Sequence, residues 1–414
     1  MIQNSNGGVA MKVCVVGGGQ AGFQVCESLV SKGFKGKLVL IGEESFPPYQ
    51  RPPLSKNYLS GKLDRDRLFL RPKEYYADNG IELIYGQRVD DINLKRKQIF
   101  TSNNSCINFD KLVLATGADL KKIKNLDQCL NIHYLRSLEE SSLLREKISK
   151  DKKIIIIGGG FIGLEIAAVC LEFGLKVSVI EQADRLMKRA VPNDVSEFYK
   201  KYHMARGVNI FTNSNITGVD KVKNDYYLQL EGGKKLHGNV ILAGIGVNPN
   251  ITLAQKIGIS CEDGIKTNQN GLTSAKEVYA VGDCANFYNV LLKNRIRPES
   301  VQHSIDTAKV VAENILGNSS VYDTVPWFWS DQYDLKLQIA AMQTKFDTTK
   351  SIKYSEKSFS TFCFNDDKHI ATFSINRPAD IFISKKILSK GSMLSQDDLN
   401  KKDFDFKLLA KKYL

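Results

Sequence analysis

Lys12-Val13-Cys14-Val15-Val16-Gly17-Gly18-Gly19-Gln20-Ala21-Gly22 runs from an apolar, largely β-branched stretch into a glycine-rich turn, and then into a helical stretch ending near Ser31. The order is buried strand, G-x-G-x-x-G, helix. Gly17 permits the tight turn, Gly19 lets a pyrophosphate approach the backbone, and Gly22 lets the helix pack close to the strand. Gln20 and Ala21 lie within the motif, and the N-terminal N–H groups of the helix that follows take the anion. A second strand, Lys37 to Ile41, is followed by Gly42-Glu43. Glu43 is therefore placed to accept from the ribose hydroxyls of an adenosine.

The pattern recurs. Ile154 to Ile157 leads into Gly158-Gly159-Gly160-Phe161-Ile162-Gly163, a helix through about Glu172, and the strand Lys176-Val177-Ser178-Val179-Ile180 with Glu181 at its end. One such glycine pattern is a weak signal. Two, each with its strand, helix and acid-ended second strand, predict two dinucleotide sites. The apolar run Ile154 to Leu171 is long enough to suggest a membrane span, but its Gly158-Gly159-Gly160 turn and Glu165 fit a buried strand feeding a helix. No transmembrane segment is expected. Glu181 also bears on the nicotinamide: a 2′-phosphate about 4 Å from a carboxylate is repelled by roughly 4 kcal/mol at an effective dielectric of about 20. NADH is therefore favoured over NADPH, although Arg185, Lys188 and Arg189 follow closely.

The chain has 414 residues, 43% apolar and 25% charged, which suits two or three globular domains. Its net charge is +13. That balance suits an acidic protein partner, a nucleic acid or an anionic membrane; without a recognition motif a nucleic-acid role is not expected. The eight cysteines (Cys14, Cys26, Cys106, Cys129, Cys170, Cys261, Cys284, Cys363) include no C-x-x-C and no clusters. They offer neither a metal site nor a disulfide framework and read mostly as small core residues in a reducing, cytoplasmic setting. Met1 to Ala10 lacks the basic start and apolar stretch of a signal peptide.

Together with these cradles, several stretches resemble the FAD-dependent pyridine-nucleotide oxidoreductases, in particular their NADH-ferredoxin reductases that feed oxygenases. The most specific is Pro48-Tyr49-Gln50-Arg51-Pro52-Pro53-Leu54-Ser55-Lys56, similar to the family's P-Y-x-R-P-P-L-S-K signature. The others are Leu114-Ala115-Thr116-Gly117-Ala118, Gly163-Leu164-Glu165, Gly244-Ile245-Gly246-Val247-Asn248-Pro249, Tyr279-Ala280-Val281-Gly282-Asp283-Cys284 and Trp329-Ser330-Asp331-Gln332.

The resemblance implies FAD on the first cradle and NADH on the second. For FAD it implies contacts from Gly17, Gly19, Gln20, Ala21, Gly22, Glu43, Arg51, Lys56, Thr116, Gly117, Asp283, Glu299, Ser300, Val301 and Trp329. For NAD it implies contacts from Gly158, Gly160, Phe161, Ile162, Gly163, Glu181 and Gly246. Arg51, in a proline-stiffened loop, suits a guanidinium fork on the FAD pyrophosphate. Asp283 matches the acid that binds the ribityl chain, or is a helix N-cap. Lys56 and Glu165 match a pair beside flavin N5, where a lysine stabilises negative charge on the reduced flavin and the glutamate holds it. Without the resemblance, both would read as surface charges. Trp329 matches the aromatic residue near the flavin and is otherwise a core tryptophan beside Trp327 and Phe328. His303 departs from the small or amide residue of the family segment that Glu299-Ser300-Val301-Gln302 resembles.

Disulfide reductases of this class carry a redox cysteine pair, and peroxide-reducing members a single cysteine where this chain reads Phe46 to Gln50. No cysteine lies between Cys26 and Cys106. Cys284 has no partner and reads as a core residue. With flavin as sole redox centre, the electrons pass to an external acceptor. The expected acceptor is an acidic, transiently bound [2Fe-2S] ferredoxin serving an oxygenase, drawn to lysines near the C-terminus: Lys385-Lys386, Lys390, Lys401-Lys402 and Lys411-Lys412. Alternatives on the same fold are a reductase for rubredoxin, monodehydroascorbate, a quinone or oxygen, or a flavoprotein resembling apoptosis-inducing factor.

The expected architecture is α/β: two Rossmann-like dinucleotide-binding domains and a C-terminal α+β domain. Residues 1–118 and 246–324 form the discontinuous FAD domain, 119–245 the NAD domain and 325–414 the third. In the last, stretches such as Leu335 to Ala340 and Ser358 to Phe364 are expected as half-buried antiparallel strands.

Overall fold

The computed structural model describes residues 10–127, 130–342, 345–391, 394–401 and 405–411. Residues 1–9 of the polar N-terminus, Cys129, Lys402 and Lys412 lie outside the described residues. The chain forms two compact units, residues 1–50, 69–119 and 249–324 in one, and 51–68, 120–248 and 325–414 in the other.

In the first unit the apolar stretch at the start of the first glycine motif becomes the strand Lys12–Val16, central in an all-parallel five-stranded sheet. The order is Val278–Ala280, Lys111–Leu114, Lys12–Val16, Lys37–Ile41, Ile81–Ile84. Val13, Cys14 and Val15 are fully buried because the central strand is covered on both faces. The helix Gln20–Ser31 buries Phe23, Val25, Cys26 and Leu29, and Val301–Ile315 packs closely against it.

The second unit repeats this plan: Ile132–His133, Val240–Ala243, Lys153–Ile157, Lys176–Ile180 and Asn209–Phe211, all parallel, again with the glycine-motif strand in the centre. The apolar run that suggested a membrane span is the strand Lys153–Ile157 and the helix Phe161–Glu172. No helix of the described residues is long and apolar enough to cross a membrane.

The same unit holds an antiparallel five-stranded sheet in the order Trp327–Gln332, Leu335–Ala341, Lys368–Ile375, Ser358–Asn365, Thr348–Ser355. Half-burial was expected of these strands, and Leu335–Ala341 shows it, with Lys336 exposed between buried Leu335 and Leu337. Ser358–Asn365 differs: every residue from Phe359 to Phe364 is buried. One face, with Phe359 and Cys363, joins a core containing Leu164, Val195 and Tyr199, while the other, with Phe362 and Phe364, packs on Ile383, Ile387 and Phe406. Polar residues survive there by pairing, Ser360 donating to Asp380 at 2.7 Å.

Candidate functional site: two glycine cradles and a buried ion pair

The two glycine turns have matching geometry. Gly17 and Gly158 adopt φ of +123° and +107°, and a Cβ would lie 2.0 Å from the Ala115 carbonyl oxygen at Gly17 and 2.4 Å from that of Gly244 at Gly158. Only glycine fits either position. The third glycines are equally constrained: a Cβ on Gly22 would stand 2.0 Å from Gly17 O, and one on Gly163 2.2 Å from Gly158 O. The middle glycines face open space, with nothing within 4 Å of a Cβ at Gly19 and only Gly244 O, at 4.0 Å, near one at Gly160. Gly19 and Gly160 are also the N-caps of twelve-residue helices, and neither helix start has a side-chain cap. By contrast, Leu138–Lys147 is closed by a capping box between Ser137 and Glu140. Each cradle therefore combines a glycine-lined approach with a helix N-terminus open to an anion, which fits the pyrophosphate of a dinucleotide.

The first unit gathers further expected residues around its cradle. Gly282 has φ +72°, and a Cβ there would lie 2.7 Å from Ala21 Cβ, so the 3-10 turn Gly282–Cys284 sits against the first turn of Gln20–Ser31. Asp283 is in that turn, not at a helix N-cap. Thr116 donates from Oγ1 to the Asn250 carbonyl at 2.6 Å, and Gly117 follows with φ +69°. Ser300 caps Val301–Ile315, accepting from the His303 N–H at 3.1 Å. Glu299 is exposed and pairs with Arg297 at 2.8 Å. Glu43 is exposed at the end of its strand.

Cys284 is wholly buried, with Sγ 3.3 Å from the Val281 carbonyl and 3.6 Å from that of Leu114, and burial raises its thiol pKa. It is a core residue, not a redox thiol. His303 is buried too. Burial lowers its pKa from 6.5 to about 4, against the opposing pull of Asp283, and Nδ1 lies 3.1 Å from Tyr322 Oη.

In the second unit, Glu181 folds back onto its own cradle. Its carboxylate accepts from Gly159 N–H and from Ala183 N–H, both at 2.7 Å. The nearby cations separate into distinct roles. Arg185 donates to the carbonyls of Val191 at 2.8 Å and Lys188 at 3.0 Å, and Lys188 pairs with Asp184 at 3.2 Å. Arg189 lies near Gly246, where a Cβ would stand 3.5 Å from its guanidinium. Phe161 and Ile162 open the helix after Gly160, and Ile162 is 43% exposed.

Lys56 and Glu165 meet, at 2.7 Å between Nζ and Oε2. Neither is a surface charge: their side chains are 18% and 2% exposed. The short turn Pro52–Ser55 carries Lys56 and the second turn of Phe161–Glu172 carries Glu165. Ser55 donates to Glu165 Oε2 at 2.5 Å and Ser330 to Oε1 at 2.7 Å. A buried carboxylate is tolerable only with such compensation. Arg51, at the start of the same turn, donates to the Arg136 carbonyl at 2.7 Å. Trp329 is half-buried beside Trp327, ring centroids 5.4 Å apart. Ser55 and Ser330 stand inside motifs that the sequence reading quoted but gave them no role. Only distances across 110 and 165 residues of chain reveal it.

Comparison with known proteins agrees with this construction. Residues 11–308 match the family model described as pyridine nucleotide-disulphide oxidoreductase, and residues 327–410 match that of the reductase C-terminal domain. The chain is 36% identical over 402 residues to rhodocoxin reductase of Rhodococcus erythropolis, covering 96% of this chain and 94% of that protein. It is 33% identical over 385 residues to putidaredoxin reductase of Pseudomonas putida, 91% of each. The crystal structure of a covalent putidaredoxin reductase–putidaredoxin complex superposes with a TM-score of 0.93 at 31% identity, over 98% of this chain and 99% of that one. With both cradles, the ion pair and nearly full-length similarity in agreement, the chain belongs to the FAD-dependent pyridine nucleotide-disulphide oxidoreductase family.

Proposed function

We propose that this chain is an FAD-dependent NADH:ferredoxin reductase, passing electrons from NADH through the flavin to a [2Fe-2S] ferredoxin that serves an oxygenase. The observation that carries the reading is the pair of cradles, each with its middle glycine facing open space and its helix N-terminus uncapped. The names of the relatives supply the acceptor class. FAD occupies the cradle of Gly17, Gly19 and Gly22, with Asp283 and Thr116 beside it, and NADH that of Gly158, Gly160 and Gly163. Residues 1–118 and 246–324 serve as the FAD domain, 119–245 as the NAD domain and 325–414 as the C-terminal domain.

The chemistry that FAD supplies when bound is acceptance of a hydride and release of its two electrons one at a time. The protein's own part is electrostatic. Lys56 brings an ammonium that favours the reduced flavin, Glu165 fixes that ammonium, and Glu181 selects NADH by repelling a 2′-phosphate. The thiol of Cys284 takes no part.

The partner is acidic and transient. Its encounter is favoured by the overall charge of +13 and by the helix Pro378–Ser389, where Phe382 is 62% exposed beneath the Lys386 ammonium. Lys385 lies 4.7 Å from the Trp327 ring centroid. The test is steady-state NADH oxidation by the yellow protein, comparing a [2Fe-2S] ferredoxin, ferricyanide and oxygen at low and high salt. Fast, salt-sensitive ferredoxin reduction with slow oxygen use supports the reading. Fast ferricyanide reduction without ferredoxin reduction assigns the flavin to another acceptor.

A further inference from the structure

The Glu165 carboxylate is the end of a longer chain of hydrogen bonds, all within one unit. Ser330 Oγ lies 2.7 Å from Glu165 Oε1, Gln332 Nε2 3.2 Å from Ser330 Oγ, His203 Nε2 2.8 Å from Gln332 Oε1, and Tyr333 Oη 3.1 Å from His203 Nδ1. Ser330, Gln332 and His203 are buried. Tyr333 is partly exposed beneath the Arg206 guanidinium.

Chemistry fixes the direction of every link. A carboxylate paired with an ammonium only accepts, so the single hydroxyl proton of Ser330 points to Glu165. Ser330 Oγ must then accept from Gln332, which turns the amide NH2 to Ser330 and the amide oxygen to His203. That oxygen only accepts, so His203 carries its proton on Nε2 and receives the Tyr333 hydroxyl on Nδ1. Burial supports a neutral ring, holding its pKa at about 4 despite the Gln332 contact. Four donors in series thus all point toward Glu165, an arrangement in which each bond strengthens the next.

We infer that His203 and Gln332 are positioning residues for flavin reduction: they hold Ser330 as a donor to Glu165 and thereby set how fully that carboxylate neutralises Lys56. The inference rests on the flavin role proposed for Lys56. Without the N–H of His203 the Gln332 amide is free to turn over. Its oxygen then competes for the Ser330 hydroxyl, and Glu165 Oε1 loses its donor. The carboxylate charge, no longer shared with Ser330, is then balanced by Lys56 and Ser55 alone, and the ammonium presents a weaker positive field to the reduced flavin.

The test compares His203→Phe and Gln332→Met, which fill the space without a donor, with His203→Gln, which keeps one. Each is measured as the FAD-loaded full chain. In His203→Phe the midpoint potential of bound FAD should fall and flavin reduction by NADH should slow by about tenfold at unchanged FAD content; Gln332→Met, which removes the competing oxygen along with the donor, should show a smaller change in the same direction. His203→Gln should recover most of the loss, and adding Gln332→Met to His203→Phe should bring the effect down to that of Gln332→Met alone. Wild-type potential and rate in a folded, FAD-loaded His203→Phe protein would overturn the proposal, as would a Gln332→Met effect as large as that of His203→Phe.

Nitrogen-15 histidine NMR supplies an arm independent of flavin chemistry. The chain has five histidines, so the signals lost in His203→Gln identify this ring. A neutral Nε2–H tautomer at pH 7 is expected, and a cationic or Nδ1–H ring overturns the chain of donors. A protein with that tautomer but no reduction by NADH would instead refute the proposed function while leaving the hydrogen-bond chain in place.

Discussion

Replacing Lys56 by Met deletes the ammonium and keeps most of the stem. The structure then leaves the Glu165 side chain, 2% exposed, as an anion without its ion partner, though Ser55 and Ser330 still donate to it. Breaking a buried pair from one side costs about 3–5 kcal/mol. The two remaining hydroxyl donors place this case at the lower end, about 3 kcal/mol. For a unit of this size that corresponds to a fall of roughly 6–12 °C in the thermal midpoint. Changing Glu165 to Gln in the same background removes the stranded charge but keeps an acceptor for both serines, and should return about 2 kcal/mol of the loss. The assay is a double-mutant cycle of Lys56→Met, Glu165→Gln, the pair and the parent, followed by thermal unfolding at saturating FAD. Stopped-flow reduction by NADH on the same proteins should show Lys56→Met slowed by about a hundredfold with FAD still bound. A coupling below about 0.5 kcal/mol would refute the buried-pair reasoning, and an unchanged reduction rate would make Lys56 structural.

Glu181→Ala should narrow the gap between NADH and NADPH in kcat/KM, and an unchanged ratio would remove Glu181 from the ribose site; since Glu181 also braces Gly159, KM for both nucleotides should rise. Gly163→Ala places a methyl 2.2 Å from a carbonyl oxygen and should abolish NADH-dependent reduction while dithionite still bleaches the flavin. In the native protein a thiol reagent should label exposed Cys106 and leave Cys284 untouched, whereas prompt loss of Cys284 would contradict its burial. His203, His303 and His369 are held neutral by burial, at about 4, about 4 and about 3 against 6.5 in the unfolded chain. The unfolded state therefore binds protons first on acidification. Stability should be complete above about pH 6.5 and fall toward pH 4 with a slope approaching three protons, read from denaturation midpoints across that range.

Much of the fold was legible because its signals are local. Strand, glycine turn and helix lie within about twenty residues of each other, and the contacts that force glycine at Gly22 and Gly163 come from the same motif, whereas those at Gly17 and Gly158 come from the distant carbonyls of Ala115 and Gly244. The cradles could therefore be placed, and the helices Gln20–Ser31 and Phe161–Glu172 end at the expected positions, although each begins inside the glycine motif instead of after it. The C-terminal sheet was legible only in part. The alternation of Leu335–Ala341 announces one buried face, but the burial of Ser358–Asn365 on both faces depends on Pro378–Ser389 and Phe406, which pack against it from later in the chain.

The chemistry around Glu165 is legible in a different sense. Its direct partners are Ser55, Lys56 and Ser330, each more than a hundred residues away in the chain, with Gln332 and His203 standing behind Ser330. The family resemblance pairs Lys56 with Glu165, but Ser55, His203, Ser330 and Gln332 carry no signal of their own, and spacing gives no reason to join them. What joins them is the impossibility of leaving a buried carboxylate uncompensated. Once Glu165 is inside, the fold must bring it an ammonium and hydroxyl donors, those hydroxyls need donors of their own, and the demand passes outward until Tyr333 reaches solvent. The direction of that demand makes His203 informative. A histidine held neutral deep in the unit has a satisfied ring only if something further in accepts its proton, and the acceptor here leads back through Gln332 and Ser330 to the charge that fixes Lys56.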